Sequence, residues 1–327
     1  MRRADLLRRR VEDIDLAKAL SPADLVRQMG AAGGFTAKKI ATGVDILRTM
    51  FSRPGCTTFL SFPASLMATG VRGVLRTLVE RKLVDVIITT CGTADHDLAR
   101  VWAPYYHGDF DLDDVALHRL RVNRLGNILV PNESYGIVLE KRVRPMLEAL
   151  WRSGKRGFSS KELLWELGRR TESRESLLWW AWRNRIPVYV PAPFDGAVGY
   201  QLWSFWQEHR DLALDLFRDE QELMDLVFTA KETGALMIGG GVSKHHTIWW
   251  NQFRGGLDYA VYITTAPEWD GSLSGARVRE GISWGKVKET ARQVTIEGDA
   301  SALLPLMIGA AVRPRGAKRR GTPHFTR

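Results

Sequence analysis

The chain has 327 residues, 45% of them hydrophobic, with two cysteines, seven histidines and a formal net charge of +10. That length and apolar content suffice for one large α/β domain, no run of about 18 apolar residues marks a membrane span, and two cysteines exclude a disulfide framework or a cysteine metal quartet. The charge is terminal: residues 1–10 hold five arginines against one aspartate, and residues 313–327 hold five arginines and one lysine without an acid, so the body is near neutral and nucleic acid is not the expected partner.

The N-terminus mixes charge too densely into its apolar positions for a signal peptide, so a cytoplasmic location is expected. The histidines show no metal-ligand spacing, and no metal is expected. Ser21-Pro22 predicts a helix start, with Ser21 as N-cap and Pro22 at the first helical position, ending at Gly30. A second helix is expected from a cap at Thr36 to Phe51. Residues 1–55 are thus an N-terminal helical packing region, residues 56–312 the main domain, and residues 313–327 a basic tail expected to be disordered.

Thr57–Phe62 predicts a strand, and the apolar spacing of Val71, Val74, Leu75, Leu78 and Val79 a helix after it. Val84–Thr89 follows as a buried strand. Such a βαβ unit crosses over right-handed into a parallel sheet. Pro63–Ser65 and Thr90–Gly92 then lie at carboxyl ends of neighbouring strands, where open α/β sheets bind ligands. Asn127–Val130 predicts another strand, and Pro131-Asn132-Glu133 leads into a helix through Leu150. Gly154–Arg185 reads as helical and tryptophan-dense, with Trp179 and Trp182 sharing a face suited to core or subunit packing. Pro187–Val190 is a strand with the Phe194-Asp195-Gly196 loop beyond it, and Asp219–Thr233 an amphipathic helix. Ala235–Ile238, Tyr259–Ile263 and Val294–Ile296 complete the strands, and Asp299 caps a last helix through Ala311, stopped by Pro314. The fold class is α/β, a single large, doubly wound and mainly parallel sheet flanked by helices.

The most informative stretch runs from Met237 to Lys286. Gly239-Gly240-Gly241 lets backbone N–H groups approach a ligand, and the helix beginning there favours an anion such as a cofactor phosphate. Lys286 follows Trp284 closely and precedes Val287, surroundings suited to desolvating an amine for imine formation. No GxGxxG fingerprint is present.

Read together, GGGVSKHH, DYAVYITTAPEWDGSLSGAR and EGISWGK resemble the active-site half of deoxyhypusine synthases. TTFLSFPASLMATGVR, LVDVIITTCGTADHDLAR, NRLGNILVPNESY and IPVYVPAPFDGAVG fall in the same family order, so the resemblance covers most of the chain. It implies a Rossmann-type NAD site, an aminobutyl group carried as an imine on Lys286, and transfer to a lysine of a translation factor or, in related homospermidine synthases, to a small amine. It implies catalytic roles for Lys286, His245 and Glu280, with Trp284 along the amine substrate. Cofactor contacts are implied for Ser65, Thr90, Gly92, Asp195, Gly240, Gly241, Thr265, Asp270, Ser274 and Asp299, and a homotetramer with active sites at subunit interfaces.

The amine-recognition shell departs from the family. His96, Tyr200 and Leu273 stand where the family has acids, and Trp249 where it has an asparagine. A carboxylate–ammonium contact is worth roughly 1.5–3 kcal/mol, so a donor other than spermidine is expected, held in part by cation–π contact with Trp249, Tyr200 and Trp284 or through a carboxylate facing His96. The alternatives are an ordinary deoxyhypusine synthase, a homospermidine-type enzyme, or a silent paralogue that supports a partner subunit.

Overall fold

A computed structural model of the chain describes residues 7–312; the basic tail and Pro314 lie outside the described residues. Six strands form the central sheet: β1 (Cys56–Phe62), β2 (Val86–Thr89), β3 (Val188–Tyr189), β4 (Glu232–Ile238), β5 (Leu257–Thr264) and β6 (Val287–Glu297). Their spatial order is β6, β5, β4, β1, β2, β3, and every neighbouring pair is parallel. The chain builds outward from β1 through β2 to β3, then returns to the other side of β1 and builds outward again through β4, β5 and β6. The reversal leaves a crevice between the carboxyl ends of β1 and β4, the place where open α/β sheets receive ligands.

Alternation along the strands divides the core between the two faces of the sheet. Leu60, Phe62, Ile87, Leu236, Ile238, Val261 and Ile263 face one apolar cluster. Phe59, Val86, Ile88, Ala235, Met237, Ala260 and Tyr262 face the other. Helices α1 (Pro22–Ala32), α2 (Phe35–Ser52) and α3 (Arg72–Glu80) contribute to the first cluster, together with α4 (Gly92–Trp102), α5 (Ala197–Glu208) and, near the C-terminus, α8 (Ala300–Ala311). Between α5 and α8 in sequence, α6 (Phe217–Thr229) and α7 (Gly241–Gln252) supply Leu223, Leu226, Val227 and Ile248 to the second. No helix of the described residues is long and apolar enough to cross a membrane.

Several local expectations hold in detail. Ser21 caps α1 by accepting from the Asp24 amide, and Asp299 caps α8 by accepting from that of Ser301. The β1–α3–β2 unit has Leu75, Leu78 and Val79 fully buried. Other boundaries move. Helix α1 continues through Gly30 and ends at Gly33, whose φ of 82° suits only glycine; Gly30 instead marks a close crossing, since a Cβ there would lie 3.0 Å from that of Ala41 on α2. Gly34, not Thr36, precedes α2. Residues 154–185 are two helices, Ser160–Thr171 and Leu177–Asn184, after a short strand at Gly157–Phe158. The strand near residue 128 joins a small antiparallel sheet rather than the central one. Thr233 belongs to β4, not to the helix before it. Strand β6 begins seven residues earlier than its apolar core suggests, because an edge strand carries polar residues such as Lys288, Glu289 and Arg292.

Candidate functional site

Helix α7 starts at the glycine cluster and runs over the second face of the sheet. Gly239 and Gly241 have φ of 64° and 73°, so the chain turns sharply from β4 into the helix. Gly240 lies against Ser274: a Cβ on Gly240 would sit 2.2 Å from the serine Oγ and 2.6 Å from its amide nitrogen. The segment holding Ser274 is fixed from beneath, because Tyr262 Oη and Thr264 Oγ1 both donate to the Ser274 carbonyl, at 2.7 and 2.9 Å.

Lys286 is presented by a turn ahead of β6. Its amide donates to the Gly281 carbonyl at 2.9 Å, its carbonyl accepts from the Leu257 amide at 3.1 Å, and the positive φ of Gly285 reverses the chain just before it. The side chain is buried, with Nζ 5.2 Å from the Trp284 ring centroid and 5.7 Å from that of Trp249. These are cation–π distances. His245 and Trp249, one turn apart on α7, stack with centroids 5.7 Å apart. Burial first, and then the positive charge of Lys286, lowers the pKa of His245 below its ordinary 6.5, so the imidazole is neutral at pH 7 and able to accept a proton.

Lys286, His245, Trp249, Leu273, Glu280 and Trp284 line one cavity of about 380 Å³. All three residues expected to be catalytic therefore converge there, with three of the five expected at the amine. Lys244 and Arg277 also line it, and the sequence reading missed both. A signal for Lys244 existed: Lys244, Thr247, Ile248 and Asn251 follow the i, i+3, i+4, i+7 pattern of the buried face of α7.

His96 and Tyr200 do not reach this cavity within one chain. They sit on α4 and α5, which follow β2 and β3, whereas Lys286 sits beside β5 and β6 across the sheet. His96 is partly buried, its Nδ1 2.9 Å from the Tyr105 hydroxyl and its ring tilted over Tyr135. Burial, reinforced by the Arg100 charge, pushes its pKa down to about 4. In that state the imidazole carries no positive charge of its own for a donor carboxylate. Tyr200 is exposed and packs on Trp203.

The residues expected at the cofactor follow the carboxyl ends of the strands. After β1, the Ala64 amide donates to Thr90 Oγ1 at 3.3 Å, tying the Ser65 loop to that of Gly92. After β3, the Asp195-Gly196 loop closes on α4. A Cβ on Gly196 would lie 2.9 Å from Cys91 Sγ, and the Asp95 carboxylate accepts from the amides of Ala197 and Val198 at 2.8 and 2.7 Å and from Tyr135 Oη at 2.8 Å. On the other side of the crevice, Gly239 packs against Pro63. Thr265 follows β5 directly, and the Gly298 amide donates to the Thr264 carbonyl at 2.9 Å, bringing Asp299 alongside. Asp270 stands in the loop between Thr265 and Ser274, hydrogen-bonded to Ser272.

A family model described as deoxyhypusine synthase matches residues 24–311. The chain is 54% identical over 308 residues to a probable deoxyhypusine synthase of Picrophilus torridus, covering 94% of this chain and 98% of the relative. It is 51% identical to one of Thermoplasma acidophilum, covering 94% and 99%. A crystal structure titled as a candidate deoxyhypusine synthase from Entamoeba histolytica shares the fold, with a TM-score of 0.67 and 21% identity over 92% of this chain and 96% of that one. With the crevice and the Lys286 cavity built from the segments that carry the resemblance, the chain belongs to the deoxyhypusine synthase family.

Proposed function

We propose that the protein is an NAD-dependent transferase that moves an aminoalkyl group through an imine on Lys286, with a donor amine carrying fewer ammonium groups than spermidine. The observation behind this reading is a buried lysine close to two tryptophan rings, in a cavity shared with a neutral histidine.

The residues at the crevice suit NAD. Helix α7 begins with no side-chain cap on its first amides, and the space beside Gly241 is open, a backbone arrangement that favours a phosphate. Ser65, Thr90, Gly92, Gly240, Gly241, Thr265 and Ser274 would hold the cofactor along the strand ends, and Asp195, Asp270 and Asp299 would meet hydroxyl groups. When bound, NAD supplies a hydride acceptor that oxidises the donor amine and returns the hydride at the end.

This chain's own residues do the rest. The Lys286 amine is the nucleophile: its nitrogen forms the bond to the aminoalkyl carbon as the donor's other amine leaves. His245 accepts the proton that Lys286 sheds and returns it to the departing amine. Trp249 and Trp284 exclude water and flank the chain of the donor, while Glu280 meets an ammonium. An acceptor amine then displaces Lys286. That acceptor is a small amine or a protein lysine. We further propose that the active unit is a homo-oligomer, a tetramer by family resemblance, which brings His96 and Tyr200 of one chain to the amine site of another, and that it works in the cytoplasm, where the buried thiols of Cys56 and Cys91 suit a reducing medium.

A second reading, favoured by the probable deoxyhypusine synthases 54% and 51% identical to this chain, keeps spermidine as donor and a protein lysine as acceptor. Incubation with NAD and a panel of spermidine, putrescine, agmatine and carboxylated polyamines, borohydride trapping and peptide mass spectrometry separates the two. An adduct at Lys286 from a donor poorer in ammonium groups supports the first. Efficient trapping from spermidine supports the second, and no adduct from any amine, or one on a different residue, overturns both.

A further inference from the structure

Lys244 is the other lysine of the Lys286 cavity. It is 2% exposed, yet lysines are almost never buried without specific partners. Its Nζ donates to the Leu273 carbonyl at 2.8 Å and to the Ala276 carbonyl at 2.6 Å, and lies 3.7 Å from the Tyr262 ring centroid. Both acceptors belong to the segment that Tyr262 and Thr264 hold at Ser274. That segment has two sides. Ser274 abuts Gly240 at the crevice, while Leu273 and Ala276 line the Lys286 cavity.

We propose that Lys244 is a positioning residue that fastens the Leu273–Ala276 segment, joins the cofactor crevice to the lysine cavity through it, and sets the cavity's charge by gaining or losing one proton. The inference rests on the transferase reading for its kinetic test only.

An ammonium has three N–H donors and a neutral amine two. Two carbonyls accept from Nζ, so the segment stays held in either state, and what changes is one positive charge in the wall. The charged and titratable groups facing Lys244 are Glu280 and Arg277 from the segments before β6, Tyr262 from β5, and His245 and Lys286 around the cavity. Burial, opposed by Glu280 and aided by Arg277, brings Lys244 down to about 7. Below that pH it is a cation beside the site for a cationic donor; above it the repulsion is gone, and amine affinity rises.

The test compares wild type, Lys244→Met and Lys244→Arg. By hydrogen exchange, Lys244→Met is expected to speed the amides of residues 272–277 at least about tenfold while the β5 core keeps its protection, and Lys244→Arg, which retains donors, to stay closer to wild type. In the transfer assay the amine KM of wild type falls severalfold, up to about tenfold, from pH 6 to 8, as expected on removing one like charge at short range in a partly buried site. Both variants lack that limb, since neither side chain titrates there. Unchanged exchange at 272–277 in Lys244→Met, or a limb that survives in either variant, overturns the proposal. If Lys244→Arg does not fold, Lys244→Met alone decides both readouts. If wild type forms no adduct on Lys286, the transferase reading fails, and exchange still decides whether Lys244 holds the segment.

Discussion

Replacing Gly240 with alanine tests how the crevice is built. The φ of Gly240, −121°, is negative and so avoids the left-handed region that strains an L residue; the main change on substitution is one added methyl. That methyl would stand 2.2 Å from Ser274 Oγ, 2.5 Å from its Cα and 2.6 Å from its amide nitrogen, about 1 Å or more inside ordinary contact. Two of these atoms are backbone, and the Ser274 carbonyl is fixed by Tyr262 and Thr264, so the segment moves as a whole. Overpacking of this kind costs about 1–3 kcal/mol, a fall in melting temperature of roughly 1.5–4.5 °C for a chain of 327 residues. Saturating NAD, at about 100 times its dissociation constant, should stabilise the wild type by about 2.7 kcal/mol and the variant far less. Adding Ser274→Gly should restore little, since the backbone contacts remain. Gly73→Ala is the control: it sits in α3 with nothing within 4 Å of the new methyl and should be neutral or stabilising by up to about 1 kcal/mol. A Gly240→Ala protein that melts and responds to NAD like wild type, or full rescue by Ser274→Gly, would refute this account of the crevice.

Lys286→Arg should abolish the trapped adduct while leaving NAD stabilisation intact, because a guanidinium stays protonated and cannot attack; mass spectrometry of the variant checks it. Asp95→Ala strips one acceptor from the buried Val198 amide, the part-buried Ala197 amide and the Tyr135 hydroxyl, and should lower stability by about 3 kcal/mol in denaturant titration. Burial raises the pKa of Asp258, but Lys288, the Thr233 amide and Arg254 outweigh it and hold the carboxyl below its ordinary 3.8. Its stabilisation is therefore present above that value and lost as pH falls through the lower folded one, so Asp258→Asn should destabilise at pH 7 and match wild type in acid melts. Light scattering at micromolar concentration should find an oligomer, and a monomer active in transfer would exclude an amine site completed by two chains.

The parts of the fold legible in the sequence are those whose cause is local. Ser21-Pro22 and Asp299-Ala300-Ser301 specify caps by side-chain chemistry, and the spacing of Leu75, Leu78 and Val79 specifies a buried helix face. Strand order is not local. The chain returns across β1 because β4 pairs with it from Cys56–Glu232 to Ser61–Met237, a registry between segments about 175 residues apart that no window of sequence displays. The same long-range placement puts His96 and Tyr200 across the sheet from Lys286, although the family resemblance implies one amine site for all three. Lys244 is overlooked for a different reason: a lysine is read as solvated by default, although its spacing with Thr247, Ile248 and Asn251 puts it on the buried face of α7, where two carbonyls and an aromatic ring receive it.

Charge in the Lys286 cavity follows from these placements. Arg277 pairs with Glu268 at 3.1 Å and approaches Glu297 at 3.6 Å, so much of its charge is already answered by acids outside the cavity lining. Lys244 meets two carbonyl dipoles and the Tyr262 ring, and its burial outweighs the opposing charge of Glu280. Glu280 is the one carboxylate among the lining residues, set against Lys286, Lys244 and a neutral His245. One carboxylate matches one ammonium. A triply charged amine would leave two ammonium groups to be desolvated against aromatic rings or supplied with acids from another chain, and cation–π contacts of about 0.5–2 kcal/mol each fall short of a buried charge's desolvation cost. The proposed donor is for that reason a shorter or less charged amine, and its binding should strengthen as Lys244 loses its proton.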